Sequence, residues 1–261
     1  MIRFPAVALV LAVLCTPATM AGSTSNLERE KSWADQIVDT LIAGEAVWLK
    51  AAGVKFLGLY TPPTANSNKG LILLHGRGVH PAWGFIDNLR VDLADDGWHT
   101  LALQLPILDT DTKLAEYART LPEAFDRVDA GIRFLKEKGV GQVFIVGHSS
   151  GAMTAIAYAV ERPAVPVAGI VAIGLTTEPA GGRLMQPTQM LARIKKPMLD
   201  IYGTDDLPVV LQTTRARQAA ARQAGNRGYV QERIDGANHF FTDRYDALRA
   251  RITAWLAKTG K

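Results

Sequence analysis

Near its middle the chain reads Val143-Phe144-Ile145-Val146-Gly147-His148-Ser149-Ser150-Gly151. The four apolar residues at the start predict a short strand that is buried on both faces. Downstream, Met153, Ile156 and Val160 recur at helical spacing. The G-x-S-x-G pattern therefore lies on a turn from strand to helix, which is the context that a nucleophile elbow requires.

Such a turn is so tight that its central serine must adopt a strained backbone conformation. The flanking Gly147 and Gly151 remove Cβ atoms that would clash there. The register predicts Ser149 as the nucleophile. The backbone N–H of Ser150, at the helix start, is predicted to stabilise negative charge on a carbonyl oxygen.

The same alternation of strand and helix continues on both sides of this turn. Helical periodicity separates the apolar runs, as in Phe125-Val128-Ile132-Leu135. Right-handed βαβ crossovers have this pattern, so the sequence predicts an α/β fold with a mostly parallel central sheet and helices on both faces. The predicted parallel strands lie at 71–74, 100–103, 143–146, 169–173 and 198–202.

Earlier residues predict an N-terminal helix through Trp33 and Ile37, followed by an antiparallel hairpin of residues 46–50 and 54–60. After the parallel strands, one helix is expected over 207–224, a last strand over 228–234 and a final helix over 245–256. The segment 175–194 is long enough only for a short lid. With no internal linker, residues 22–261 are predicted to form a single domain.

Residues 1–21 differ from the rest of the chain in their pattern of basic, apolar and small residues. Arg3 precedes an unbroken apolar run over 6–15, and small residues lead to Ala21. This pattern is typical of a secretory signal peptide cleaved near Ala21, and the run of about ten residues is short of the ~20 that a spanning helix needs. The expected location is therefore the periplasm or the exterior. The single cysteine, Cys15, lies in this segment, so the mature chain is expected to have no thiol chemistry.

A base and an acid are expected downstream of Ser149. Among the five histidines, only His239 follows the last predicted strand, where this kind of site needs a base. Its acid partner is expected after the strand 198–202. There, Asp206 is favoured by its spacing from Gly203, Asp205 is the alternative, and Asp200, inside the strand, is a weaker third candidate.

A second donor for the oxyanion is expected in the loop after the first parallel strand, which reads Leu74-His75-Gly76-Arg77-Gly78. Its glycines let the backbone approach a substrate closely, so the N–H of Arg77 is predicted to complete the oxyanion hole, with that of Gly78 as alternative. The Arg77 side chain is expected to brace the loop. We assign structural roles to His75 and packing or loop contacts to His80, His99 and His148.

The composition and the absence of several motifs from the sequence argue against some classes of function. The formal net charge is only +4. The densest basic stretch, with Arg215, Arg217, Arg222 and Arg227, is interpreted as the solvated face of a helix. Without a basic stripe interleaved with aromatic residues, nucleic-acid binding is not expected. Metal-ligand spacings, a P-loop and a complete dinucleotide fingerprint are missing, so no cofactor is expected.

Taken together, these residues resemble the α/β-hydrolase superfamily over nearly the whole mature chain. The order Ser149, Asp206, His239 and the His75-Gly76 loop match its motifs. The strings HGRGVHP (75–81), GWHTLALQLP (97–106) and the elbow are similar to a bacterial α/β-hydrolase-like family of unknown function. That resemblance implies the fold and an exported location, but no substrate.

The sequence therefore predicts a serine hydrolase that cleaves a carboxylic ester or related acyl bond of a small-molecule substrate through an acyl-enzyme. Two alternatives stay open. The first is a peptidase that uses the same triad, because the fold does not fix the substrate. The second is a binding protein of the cell envelope that keeps the fold without turnover.

Overall fold

The computed structural model describes residues 23–261. The predicted signal peptide of residues 1–21, with Cys15, lies outside the described residues. Eight strands form one sheet. They are β1 Glu45–Ala51, β2 Val54–Thr61, β3 Lys69–Leu74, β4 His99–Leu103, β5 Gln142–His148, β6 Val167–Ile173, β7 Met198–Asp205 and β8 Tyr229–Asn238.

The strands lie in the order β1-β2-β4-β3-β5-β6-β7-β8. The hairpin β1–β2 is antiparallel, and β2 pairs antiparallel with β4. All other neighbours pair in parallel. The predicted mostly parallel sheet and N-terminal hairpin are confirmed. Because parallel strands end at the same edge, the loops after β3, β5, β6, β7 and β8 meet there.

Helices cover both faces of the sheet. They are α1 Leu27–Thr40, α2 Phe85–Asp95, α3 Leu121–Glu137, α4 Ser150–Glu161, α5 Pro187–Leu191, α6 Pro208–Leu211, α7 Thr214–Gln223 and α8 Tyr245–Thr259. Within residues 23–261, no helix is long and apolar enough to cross a membrane.

Two hydrophobic cores lie on opposite faces of the sheet. Alternate side chains of the central strands pack into one core or the other. In β3, Ile72 and Leu74 pack into the core formed with α3 and α4. Leu71 and Leu73 pack into the core formed with α1, α2 and α8. Successive side chains of a strand point to opposite faces of the sheet. Because both faces are buried here, the strands read as continuous apolar runs in the sequence.

Two predicted elements differ in their bounds. The single helix expected over 207–224 is wrong, because α6 and α7 are separate helices. At the break, the Thr213 hydroxyl bonds the Val210 carbonyl (3.1 Å), and Arg217 donates to the same carbonyl (3.0 Å). The Val210 carbonyl also accepts the Thr213 N–H (3.4 Å), and the side-chain donors stand where a continuous helix would supply the N–H of Thr214. The last strand, β8, runs four residues beyond the predicted end because Asn238 pairs with Asp205 after a bulge.

The interpretation of the basic stretch as a solvated face is also wrong at one position. Arg217 is fully buried, whereas Arg215, Arg222 and Arg227 are exposed. Its guanidinium is paired with Asp200 of β7 at 2.8 Å, and an ion pair of this kind offsets the cost of burying the charge. The segment 175–194 contains only short helical turns and α5, in agreement with the short lid expected there.

Candidate active site

Ser149 occupies the turn between β5 and α4 with φ 57° and ψ −119°. Residues other than glycine rarely adopt a positive φ, and such strain persists only where the surroundings enforce it. Here the Ser149 N–H donates to the Ile173 carbonyl at the end of β6 (2.8 Å), and its carbonyl accepts from Met153 in α4 (3.2 Å). The predicted strained turn is thus present at Ser149.

The two glycines of the elbow are required by close backbone contacts. A Cβ atom on Gly147 would lie 2.5 Å from the Gly151 carbonyl oxygen. On Gly151 it would lie 2.4 Å from the carbonyl oxygens of Leu74 and His75. The second contact shows that the loop after β3 packs directly on the elbow.

Asp206 and His239 form a hydrogen-bonded pair at the same edge of the sheet. His239 Nδ1 lies 2.6 Å from Asp206 Oδ1. The carboxylate also accepts the N–H groups of Leu207 (2.7 Å) and Gly203 (3.5 Å). With Nδ1 donating to the carboxylate, Nε2 is the ring nitrogen that is free to act as a base. The Asp206 side chain is fully buried and that of His239 is 7% exposed, so water screens their contact little.

Gly174 connects this pair to Ser149. It has φ +55°, and a Cβ atom there would lie 3.0 Å from His239 Nδ1 and 3.4 Å from Asp206 Oδ2. Its neighbour Ile173 accepts the Ser149 N–H, so both halves of the site rest against residues 173–174. Within residues 23–261, no hydrogen bond joins the Ser149 hydroxyl to His239, and such bonds often tighten only when substrate binds.

The three aspartates considered from the sequence have different surroundings. Asp205, the alternative acid, is exposed and accepts a hydrogen bond from the Thr204 hydroxyl at 3.2 Å. Asp200 lies inside β7, where it is paired with Arg217. Of the three, the structure brings only Asp206 to His239.

His148 makes a contact that sequence reasoning missed. Its Nε2–H donates to the His239 carbonyl at 3.0 Å, and the two rings lie 4.8 Å apart between centroids. Burial, with a smaller contribution from neighbouring His239, lowers the pKa of His148 to about 4, so the ring is neutral near pH 7. The residue before Ser149 thus ties the elbow to the loop that carries His239. Periodicity carried no signal for this contact.

His75 braces the loop after β3 as the structural residue that we predicted. Its Nδ1–H donates to the Gly76 carbonyl (2.8 Å), and its Nε2 accepts the N–H of Leu105 (2.9 Å). Burial lowers the pKa of His75 to about 3, so the neutral ring holds this arrangement at ordinary pH.

Both residues predicted to donate to an oxyanion lie on one small cavity beside Ser149. Arg77 and Ser150 line it together with Gly76, and a Cβ atom on Gly76 would lie 3.5 Å from Ser149 Cβ. The Arg77 side chain is exposed and donates to the Thr112 carbonyl at 3.0 Å, as the bracing interpretation predicts. Backbone N–H groups at this position suit an oxyanion on a carbon attached to Ser149.

Solved structures with the same fold are α/β hydrolases. The esterase Est1E from Butyrivibrio proteoclasticus is 17% identical, with TM-score 0.65, over 82% of this chain and 98% of that chain. The Pyrococcus furiosus esterase Pf2001 is 18% identical, with TM-score 0.68, over 85% and 95%. A dienelactone hydrolase from Anabaena variabilis is 21% identical, with TM-score 0.67, over 82% and 96%. At this identity the likeness establishes the α/β-hydrolase fold.

A family described as "Protein of unknown function (DUF3530)" matches residues 15–124 and 109–258. The two matched ranges extend over most of the sequence and include the elbow, Asp206 and His239. Comparison with curated proteins gives no match.

Proposed function

The chain belongs to the DUF3530 family, and we propose that it is a serine hydrolase that cleaves a carboxylic ester or a related acyl bond through an acyl-enzyme on Ser149. One observation carries the proposal. A buried Asp206–His239 pair and a strained serine on a strand-to-helix turn meet at the carboxyl edge of one sheet.

In the proposed reaction, Ser149 Oγ attacks the acyl carbon while His239 Nε2 takes the hydroxyl proton. The proton then passes to the leaving alcohol as the ester C–O bond breaks. Asp206 holds the imidazole in the required tautomer and stabilises its protonated form. The N–H groups of Arg77 and Ser150 stabilise the oxyanion, and each such donor contributes about 10²–10³ in kcat. Water then releases the acid by the same steps.

The solved structures of the same fold support a choice among acyl bonds. Two of them are described as esterases, and ferulic acid is bound to Est1E in a second structure. These statements concern those proteins. For this chain they favour an ester over a peptide as the first substrate class to test.

A labelling experiment tests the nucleophile. The purified protein is incubated with a fluorophosphonate, and the adduct is located by peptide mass spectrometry. We expect one adduct, on Ser149, and none in Ser149→Ala. Ser32→Ala is the matched control because Ser32 is an exposed serine of α1, and it should label like the wild type. Folded protein without an adduct on Ser149 would overturn the proposal.

Turnover separates an esterase from the two alternatives. We expect hydrolysis of p-nitrophenyl acetate by the wild type and only the background rate with Ser149→Ala. Equal rates for both proteins would favour the non-catalytic binding protein. Cleavage of peptides but not of esters would favour the peptidase.

We further propose that the protein is exported to the periplasm after cleavage near Ala21. The basic start, the apolar run and the small residues of 1–21 support this. The intact mass of the protein from a periplasmic fraction should correspond to a chain that begins near residue 22. Full-length protein confined to the cytoplasm would contradict export.

A further inference from the structure

The cavity beside the proposed oxyanion donors is placed to hold one particular part of the substrate. Its lining includes Gly76, Arg77 and Ser150 and contains no residue of the loop that carries His239. The leaving alcohol must take its proton from His239 and therefore lies toward that loop. The cavity is thus on the other side of the reacting carbon, where the acyl substituent has to lie.

The size of this cavity limits the substituent. Its volume is about 20 Å³, little more than the ~10–15 Å³ that one water-sized sphere takes up. A methyl or ethyl group fits such a space. A longer chain needs the wall to move.

The wall is apolar and closely packed. Met153, Met185 and Leu121 are between 1% and 5% exposed, and all three line the cavity. Met153 is one turn from the elbow, and its N–H donates to the Ser149 carbonyl, so its backbone is fixed relative to the nucleophile. The one charged side chain of the lining, Arg77, is exposed and donates to the Thr112 carbonyl. The apolar part of the wall therefore gives an anionic acyl group no partner, and a buried charge without a partner is costly.

We propose that this chain is specific for acetyl or propionyl esters, with the acyl methyl or ethyl group enclosed between the oxyanion donors and the wall of Leu121, Met153 and Met185. This inference rests on the proposed acyl-enzyme at Ser149. The leaving alcohol is not restricted by the cavity, so the selectivity concerns the acyl side.

A chain-length series tests the inference on the whole mature protein. Rates are measured with p-nitrophenyl acetate, propionate, butyrate and hexanoate, and Ser149→Ala supplies the background. We expect kcat/KM to fall at least tenfold from propionate to hexanoate. Hexanoate hydrolysed as fast as acetate would overturn the inference and leave the serine hydrolase standing. No turnover of any ester, together with no fluorophosphonate adduct, would overturn both.

Enlarging the cavity sharpens the test. Met153→Ala should raise the ratio of hexanoate to acetate kcat/KM about tenfold, and Met185→Ala, from a different segment, should act in the same direction. Met190→Ala is the matched control, because Met190 is equally buried but does not line the cavity. It should lower stability to a similar degree and leave the ratio unchanged. If Met153→Ala and Met185→Ala fold but keep the wild-type ratio, this wall does not limit the length of the acyl group.

Discussion

Two buried aspartates near the same strand have different partners. Asp200, within β7, is paired with Arg217 (2.8 Å) and accepts hydrogen bonds from Tyr229 (2.5 Å) and Gln231 (3.0 Å). We call these four residues the interior cluster. Asp206, directly after β7, has His239 as its partner, and we call these two the edge pair. Both carboxylates are fully buried, so burial alone does not distinguish a structural aspartate from one that takes part in the proposed reaction.

The partners decide what each aspartate does. Burial alone would lower the pKa of Arg217, but the adjacent Asp200 carboxylate and Tyr229 together more than offset this and raise it. Burial, followed by the charge of Asp200, raises the pKa of Tyr229 well above its ordinary value. Arg217 therefore keeps its charge and Tyr229 stays neutral at any pH at which the protein works. The imidazole partner of Asp206 has a second ring nitrogen that can accept a proton while the first donates to the carboxylate, which is what a proton-transfer step requires.

The largest effect that would test this comparison is on activity. Asp206→Asn keeps the size of the side chain but removes the charge that orients and stabilises the His239 imidazole. We expect kcat to fall about 10⁴-fold, with a circular dichroism spectrum like that of the wild type. Kinetics on a p-nitrophenyl ester measure the loss. A decrease of less than tenfold would show that Asp206 is not the acid.

The matching change in the interior cluster should act on stability. Asp200→Ala leaves the buried Arg217 charge without its carboxylate, and breaking a buried pair in this way costs about 3–5 kcal/mol. Urea denaturation measures the loss. The fraction of protein that stays folded should keep its kcat within a few-fold.

A double variant is the control for this prediction. Asp200→Leu with Arg217→Met removes both charges, and replacement of a buried pair by apolar residues is often neutral or stabilising. It should therefore recover most of the stability that Asp200→Ala loses. A large loss of kcat in folded Asp200→Ala would mean that the interior cluster also supports the reaction.

The two regions should also differ in their response to pH. His148, which contacts the edge pair, has a pKa of about 4 in the folded protein, against an ordinary value near 6.5. The unfolded chain therefore takes up this proton first on acidification. Its contribution to stability is present above about pH 6.5 and is lost as the pH falls toward 4, at about 1.4 kcal/mol per pH unit within that window.

Urea midpoints between pH 4.5 and pH 8 measure this effect. We expect a smaller loss of stability with falling pH in His148→Gln, which keeps a donor for the His239 carbonyl but does not titrate. His75, with a pKa of about 3, accounts for a further decrease that remains in the variant. An unchanged pH slope would mean that His148 is not held neutral by the fold.

The sequence predicted the edge pair better than the interior cluster for a physical reason. Ser149, the acid region and His239 follow parallel strands, and the carboxyl ends of such strands must meet at one edge. Arg217 looked like part of a solvated face because helical periodicity reports only local neighbours. Its partner Asp200 is 17 residues away on another element. The contact of His148 with the His239 carbonyl spans 91 residues, so local spacing carried no sign of it.

The choice between Asp205 and Asp206 depended on local geometry that spacing alone left open. Successive side chains at a strand end point in different directions, so only one of two adjacent carboxylates can face His239. Asp205 ends β7, is exposed and contacts Thr204, whereas Asp206 begins the loop and is buried.

Asp205→Asn should therefore have the smallest effect of all. An exposed substitution away from special contacts changes stability by no more than about 0.5 kcal/mol, and the Asp206–His239 bond is left intact. We expect kcat and the urea midpoint to match the wild type when both are measured beside Asp206→Asn. Because the two variants exchange the same atoms at adjacent positions, a 10⁴-fold difference between them would come from the partner of the carboxylate. Equal losses of kcat in both variants would mean that Asp205 and Asp206 both support the reaction, and that the edge pair alone does not define the acid.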